Sequence, residues 1–314
     1  MAQYLAITGG VGGAKLALGL THILSPQELT FLVNTGDDFE HLGVHVSPDI
    51  DTLMYTLSGL SNPETGWGRV NESWNFIATV RELGGDGWFN LGDRDLAIHT
   101  LRTQALSAGE PLSAITKRMF ETLGVAYPVY PMSDKPVRTM VDTAQGELGF
   151  QHYFVREHCE PVVTGLRFIG AEDAAAPPSI TQLLLSNELQ GIIICPSNPF
   201  LSVDPILAVN GLRDALKSAS APLIAVSPII GGTAVKGPTA KIMAELELQV
   251  STVAVAEHYG DLLDGFIIDQ TDRDLKSRCE ALGVETVVAQ TLMKTLDDRV
   301  NLAQTAVKFL SSLR

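Results

Sequence analysis

The sequence predicts an α/β fold: a Rossmann-like, doubly wound and mostly parallel sheet that carries an inserted α+β region. Three observations carry this expectation. The chain opens on an apolar run at residues 4–7, which breaks into Gly9, Gly10, Gly12 and Gly13 before a helical segment at residues 14–24. A second apolar run at residues 29–33 ends in Asn34-Thr35-Gly36-Asp37-Asp38, so strand, turn, helix and strand follow at the spacing of a right-handed parallel βαβ unit. Two later runs, 191–195 and 222–226, break in the same way into Pro196-Ser197-Asn198-Pro199 and Ser227-Pro228-Ile229-Ile230-Gly231-Gly232. Ligands of open parallel sheets collect at the carboxyl ends of strands, so these four loops are expected to face one crevice.

At 314 residues the chain is long enough for one large domain or two ordinary ones. The alternation divides it into a core of residues 1–46 and 179–314 and an inserted region, 47–178, packed on that core or continuous with it. A hydrophobic fraction of 45% against 18% charged residues excludes a disordered chain. The net charge of −14 argues against nucleic acid or an anionic membrane as partner, and it requires any phosphorylated ligand to meet local positive ends or a metal ion. Cys159, Cys195 and Cys279 share no CxxC spacing, no basic leader precedes residues 4–7, and no apolar run approaches the roughly 20 residues that span a bilayer. A cytoplasmic location is expected, with a homodimer as the commonest assembly.

Within the inserted region, Ser47-Pro48-Asp49-Ile50-Asp51-Thr52 leads into a helix over residues 53–60. Asp49 and Asp51 suit a helix cap or a Mg²⁺ site, since that ion takes carboxylate oxygens and carries phosphates. Gly66-Trp67-Gly68 precedes a helix at 73–83, and Trp88-Phe89-Asn90-Leu91-Gly92-Asp93-Arg94-Asp95 precedes another at 96–108. In that second loop Asp93 or Asp95 either caps the helix or serves a site that Trp88 borders. A helix at 113–123 follows, then strands at 137–143 and 147–155 around Ala144-Gln145-Gly146 as a hairpin, and a connection at 173–178. Beyond the resumed core, a helix at 239–246, strands at 265–269 and 286–289 and a closing helix at 297–313 complete the pattern.

The chemistry follows from the loops. Glycines let backbone N–H groups approach an anion, and the helix behind them adds its positive end, with Lys15 in the first turn. The same residues also suit a purely structural turn. Asp37 and Asp38 suit a ribose hydroxyl, a metal or a turn, and Gly231-Gly232 has Lys236 and Lys241 nearby. No nucleophile elbow or paired histidine motif is present, and His22, His99 and His258 fall on helices where a packing role is the ordinary one. The expectation is chemistry by positioning charged substrates and a metal.

Taken together, Gly-Gly-x-Gly-Gly-x-Lys, Asn-Thr-x-Asp-Asp, Ser-Pro-Asp-Ile-Asp-Thr, Leu-Gly-Asp-Arg-Asp, Pro-Met-Ser-Asp-x-Pro-Val, Pro-Ser-Asn-Pro and Ser-Pro-Ile-Ile-Gly, in this order along nearly the whole chain, resemble the 2-phospho-L-lactate transferases of coenzyme F420 biosynthesis, the CofD family. That resemblance implies a Mg²⁺-dependent transfer of a phosphorylated three-carbon acid, lactyl, enolpyruvyl or glyceryl, from a guanosine diphosphate-type donor to the deazaflavin Fo, releasing GMP. It also implies acceptor contacts at Asp51 and at Asn90, where archaeal members carry a basic residue. The expected site then comprises Asp51, Asp93 and Arg94 in catalysis and Asp51, Asn90 and Trp88 at the acceptor. Gly9, Gly10, Gly12, Gly13, Lys15, Asn34, Asp37, Ser197, Asn198, Ser227 and Gly231 are expected around the donor, and Asp49 and Asp51 on the metal. Replacing Asp51 by Asn is expected to cost activity far more than stability. The alternative is a nucleotide-binding regulatory protein of the same fold without this chemistry.

Overall fold

The first fold unit is β1 (Gln3–Thr8), α1 (Gly10–Thr21) and β2 (Leu29–Val33), joined as a parallel βαβ unit in which Ile7 lies opposite Leu32. The computed structural model describes residues 3–63, 67–235 and 237–314; Gly66 and Lys236, named above, lie outside them. Helix α1 begins four residues earlier than its side chains suggest, because Gly10 to Gly13 themselves form its first turn. After β2 comes a small antiparallel hairpin, β3 (Phe39–His41) and β4 (Val44–Val46). Helices α2 (Pro48–Leu57), α3 (Asn75–Glu82), α4 (Asp93–Ser107) and α5 (Leu112–Thr122) lead to β5 (Val129–Pro131).

Strands β6 (Arg138–Thr143), β7 (Gly146–Gly149) and β8 (Val163–Ile169) form a separate antiparallel sheet in the order β7-β6-β8. The second hairpin strand, expected to reach residue 155, stops at Gly149 and gives way to a π-helical turn at His152–Arg156. Phe150 and Tyr153 are both buried, a spacing of three that a strand cannot direct to one face. Strand β8 was not anticipated. Its burial does not follow a clean alternation, so it lacks the period-two signal that marks a half-buried strand.

The chain then runs through α6 (Pro178–Leu184), β9 (Leu189–Ile194), α7 (Asp204–Ala208), α8 (Leu212–Lys217) and β10 (Leu223–Val226). A short hairpin, β11 (Ile229–Ile230) and β12 (Thr233–Ala234), precedes α9 (Thr239–Glu245) and α10 (Thr252–Tyr259). Strand β13 (Gly265–Asp269), α11 (Lys276–Glu280), β14 (Glu285–Ala289) and α12 (Leu296–Ser312) close the fold.

Among the described residues the central sheet has seven strands, all parallel, in the order β14-β13-β10-β9-β1-β2-β5. Alternate residues of each strand enter opposite cores. Leu5, Ile7, Leu32, Ile192, Ile194, Phe266 and Ile268 face one layer, whereas Ala6, Phe31, Val33, Ile193, Ile224 and Ile267 face the layer that holds α1, α2 and α12. Burial on both faces is why these strands read as continuous apolar runs, and it makes the sheet the doubly wound one expected. The expected boundary at residue 47 does not coincide with the edge of this sheet, because β5 pairs with β2 and α2 packs on α1. From β1 the chain winds outward to β2 and β5, then returns and winds the other way through β9, β10, β13 and β14. The switch point therefore lies between β1 and β9, whose carboxyl ends carry the glycine turn and Pro196-Ser197-Asn198. No helix among the described residues is long and apolar enough to cross a membrane.

Candidate active site

A cavity of about 630 Å³ opens at that switch point. Its walls come from the glycine turn, the loops after β2, β9, β10 and β14, the first turns of α2, the segment Trp88 to Asn90, and the π-helical turn after β7. The turn is built by contact as well as by conformation. Gly10 adopts φ +64, and a Cβ on Gly12 would meet the Pro196 carbonyl oxygen at 2.4 Å, so neither position accepts a side chain without strain. The Gly9 N–H donates to Ser197 Oγ (3.1 Å), and that hydroxyl donates back to the Gly9 carbonyl (2.9 Å), which ties the β1 and β9 loops together.

The donor-side residues expected from the sequence divide into two groups. Gly9, Gly10, Gly12, Lys15, Asp37, Ser197, Asn198 and Ser227 line the cavity. Gly13, Asn34 and Gly231 do not. A Cβ on Gly13 would meet Thr8 Oγ1 at 2.3 Å, so this glycine serves close packing behind the wall. Asn34 is fully buried; its Nδ2 donates to Asp49 Oδ2 (2.9 Å) and its Oδ1 accepts from the Gly36 N–H (2.8 Å). The Gly231 N–H donates to the Asp272 carboxylate at 3.1 Å. Asn198 caps the turn that follows it by accepting from the N–H groups of Phe200 and Leu201, and the Ser227 hydroxyl is held by Thr252 and the Ile229 carbonyl. Lys15 Nζ donates to the Met293 carbonyl (3.2 Å) at the wall, whereas Lys241 turns away to Glu245, Tyr153 and the Pro161 carbonyl.

Two carboxylate pairs reach this space. In the first, Asp49 accepts from the Gly10 N–H (2.7 Å) and Asn34, yet burial pushes its carboxyl up to about 6 against those hydrogen bonds, with Asp38 adding to the rise. Asp37 is buried beside it, and its Oδ1 has no hydrogen-bond partner among the described residues. Burial, then the Asp49 charge, holds the Asp37 carboxyl well above its ordinary value. Its neighbour Asp38 is taken by Ser47 Oγ (2.8 Å) and His45 Nε2 (3.0 Å).

The second pair is Asp51 and Asp95. Arg102, from α4, grips both oxygens of Asp51, with Nη1 3.1 Å from Oδ2 and Nη2 on Oδ1. Arg102 Nη1 also lies 3.3 Å from His99 Nδ1, His99 Nε2 lies 3.3 Å from Asp95 Oδ2, and the Tyr55 hydroxyl donates to Asp95 Oδ1. Burial works against the Asp95 charge, but His99, Tyr55 and Arg102 hold its carboxyl below the usual value. Burial, followed by Asp51 and Asp95, pushes the Tyr55 phenol well up, which keeps its proton available for Asp95. Ligand atoms of Asp51, Asp95 and His99 lie within 4.8 Å of one another, so this group could hold a metal ion. Asp51, expected on the metal beside Asp49, belongs to this group and also has both oxygens on Arg102.

Asp93 and Arg94, expected in catalysis, stand elsewhere. Neither lines the cavity. Asp93 caps α3, accepting from the Phe76 N–H (3.1 Å), Ser73 Oγ (2.5 Å) and Asn75 Nδ2 (3.2 Å), and Arg94 is exposed. Glu72 caps α4 through the N–H groups of Arg94 and Asp95, so the sequence-adjacent aspartates cap nothing on their own helix. Trp88 and Asn90 do line the cavity: the indole packs 5.0 Å from His41 and 4.7 Å from His152, and Asn90 Oδ1 accepts from Arg81 (2.6 Å). Tyr55, His99 and Arg102 were not expected in the site. The signal for them was the spacing of Asp95, His99 and Arg102, four then three residues apart and so on one helix face.

A glycine turn, buried carboxylates and an aromatic end on a doubly wound sheet together describe a protein for charged and planar small molecules. The sequence matches the family described as 2-phospho-L-lactate transferase CofD over residues 5–306, and the chain belongs to that family of transferases. The resemblance carried by the seven segments is thereby borne out. A phosphoenolpyruvate transferase of Kitasatospora aureofaciens is 38% identical over 319 residues, covering 99% of each chain. A 2-phospho-L-lactate transferase of Methanosarcina mazei is 36% identical over 304 residues, covering 97% of this chain and 99% of its own. A crystal structure of a UPF0052-family protein from Bacillus halodurans has the same fold, with a TM-score of 0.63 at 15% identity over 98% of this chain and 99% of that one.

Proposed function

We propose that the chain transfers a phosphorylated three-carbon acid from a guanosine diphosphate-linked donor to the ribityl hydroxyl of the deazaflavin Fo, with GMP as the leaving group. The carrying observation is that a single cavity joins the glycine turn and helix start of α1 to the aromatic end around Trp88, with Asp51 in its wall. Relatives bear both the phosphoenolpyruvate and the 2-phospho-L-lactate name, so the acid is proposed at the level of the three-carbon class.

In this reading the hydroxyl oxygen attacks the phosphorus that carries the three-carbon acid. A new P–O bond forms, the P–O bond to GMP breaks, and the hydroxyl proton passes to Asp51. Positioning and charge balance carry such a step, and no side chain needs to attack. Ser197 and Asp49 take the Gly9 and Gly10 N–H groups, so the later N–H groups of the turn, those of Val11 and Gly12, and Lys15 hold the donor phosphates, while Trp88 and Asn90 border the acceptor.

The residues present also fit Mg²⁺. Asp37 and Asp49 are buried carboxylates, the Asp49 charge raises the Asp37 carboxyl, and Asp37 Oδ1 lacks a partner among the described residues. A hard, oxygen-seeking divalent ion suits that pair better than the Asp51 group, where a guanidinium already stands and one ligand is an imidazole. Bound there, the ion would neutralise charge on the diphosphate.

The test is a competition among guanosine-linked lactyl, enolpyruvyl and glyceryl donors with Fo and Mg²⁺, read by product mass. One phosphodiester of Fo with release of GMP is the expected product. Donor binding without Fo binding would instead favour the regulatory reading.

A further inference from the structure

We infer that Arg102, oriented by His99 and Asp95, is a positioning residue that sets the Asp51 carboxylate for the acceptor hydroxyl. This rests on the reading of Asp51 given above and adds the machinery behind it.

The geometry orders the donors in one direction. A guanidinium keeps its protons throughout the accessible pH range, so Nη1 facing His99 Nδ1 at 3.3 Å makes that nitrogen an acceptor. On the far side of the ring Nε2 faces Asp95 Oδ2 at 3.3 Å, and Tyr55 donates to the other Asp95 oxygen. Asp95 accepts from Tyr55 and faces the imidazole at 3.3 Å; the imidazole borders the guanidinium; the guanidinium fixes both oxygens of Asp51. Asp51, Tyr55, Asp95 and His99 all line the cavity, while Arg102 stands behind them, 1% exposed.

Stability alone is a poor account of such a chain. A buried ion pair gains little over well-packed apolar side chains of similar volume, because both charges lose their water. Here α2 and α4 bring five polar side chains together next to a cavity, where apolar residues would have joined the helices at lower cost. What the network does supply is a carboxylate whose orientation and counter-charge are set before the substrate arrives, with outward lone pairs left for a hydroxyl.

Arg102→Lys keeps the positive charge and loses the two-pronged grip, since an ammonium is a point charge. We expect kcat to fall about 10- to 100-fold and KM for Fo to rise, the scale of loss that follows a misplacement of about 1 Å. KM for the donor should stay unchanged, because the glycine turn and the Asp37–Asp49 pair are untouched. In a double-mutant cycle, Asp51→Asn with Arg102→Lys should be no slower than Asp51→Asn alone. Losses that multiply instead would show Arg102 acting independently of Asp51 and overturn the inference, as would wild-type kinetics in Arg102→Lys with Asp51→Asn inactive. Wild-type turnover in Asp51→Asn would sink the underlying reading and the inference with it. Should Arg102→Lys fail to fold, His99→Gln, which leaves the ion pair intact, carries the same cycle against Asp51→Asn and decides by the same criteria. Tyr55→Phe should give the same pattern, weaker.

Discussion

Two pairs of carboxylates border one cavity and are built in opposite ways. Asp51 and Asp95 are surrounded by Arg102, His99 and Tyr55, so their charges are met within the protein. Among the described residues Asp37 and Asp49 have no such partners: Asp49 accepts from Asn34 and the Gly10 N–H, and Asp37 keeps an oxygen that none of these residues meets. The contrast is one of preorganisation. A buried carboxylate with its own cation is fixed for a neutral partner such as a hydroxyl, whereas a buried pair without one is suited to a cation that arrives with the substrate.

The largest effect is expected at Asp51. Asp51→Asn should lower kcat by about 10² to 10⁴, the range for losing a general base, in a steady-state assay at saturating Mg²⁺. The ion pair revises the expectation that this change spares stability. It leaves Arg102 buried without its counter-charge, a loss of about 3–5 kcal/mol in comparable cases, and denaturant unfolding should detect it. Asp51→Asn combined with Arg102→Gln should recover part of that stability and none of the activity.

The uncompensated pair should respond in the other sense. Asp37→Asn removes a proposed ligand, so Mg²⁺ affinity read by titrating turnover should fall at least about 10- to 100-fold, the cost usual for groups that merely support a ligand. Yet the metal-free protein should melt higher at neutral pH, because the cost of burying this ionisable carboxyl beside Asp49 has gone. A lower melting temperature in that variant would count against the contrast.

A smaller effect is expected from pH. The Asp49 carboxyl rises from 3.8 to about 6 in the fold, so the native state holds that proton more tightly than the unfolded chain. Its contribution to stability is full below about pH 4 and is lost as pH rises through 6. At 1.36 kcal/mol for each unit of pKa, the loss is about 3 kcal/mol. Melting in the presence of a chelator should therefore weaken from pH 4.5 to 7.5, with Mg²⁺ flattening the trend. The smallest effect belongs to Asp93→Ala, which removes the α3 cap: a slight drop in melting temperature with kcat/KM within about twofold.

Much of this architecture was legible in advance. The runs at 29–33 and 265–269 became β2 and β13 at those residues, and the glycine turn, Asp51, Trp88 and Asn90 all reach the cavity. Such features are local. A strand buried on both faces declares itself in five or six consecutive apolar residues, and a turn that cannot hold a Cβ declares itself as glycine. The place of Asp93 was not local in this way, since a carboxylate at the start of α4 in the sequence caps α3 in space.

Partnership among charges lay beyond that local signal. Asp51 and Arg102 are 51 residues apart and Tyr55 and Asp95 are 40 apart, and each contact depends on where α2 and α4 come to rest. Apolar burial is roughly additive along a chain and tolerates shifts of an ångström, so its pattern survives in the sequence. A hydrogen bond or ion pair is made or lost within that same ångström. Residue order therefore settled the sheet, its turns and the family of transferases to which the chain belongs. Folding alone decided which carboxylate met a guanidinium and which was buried without one.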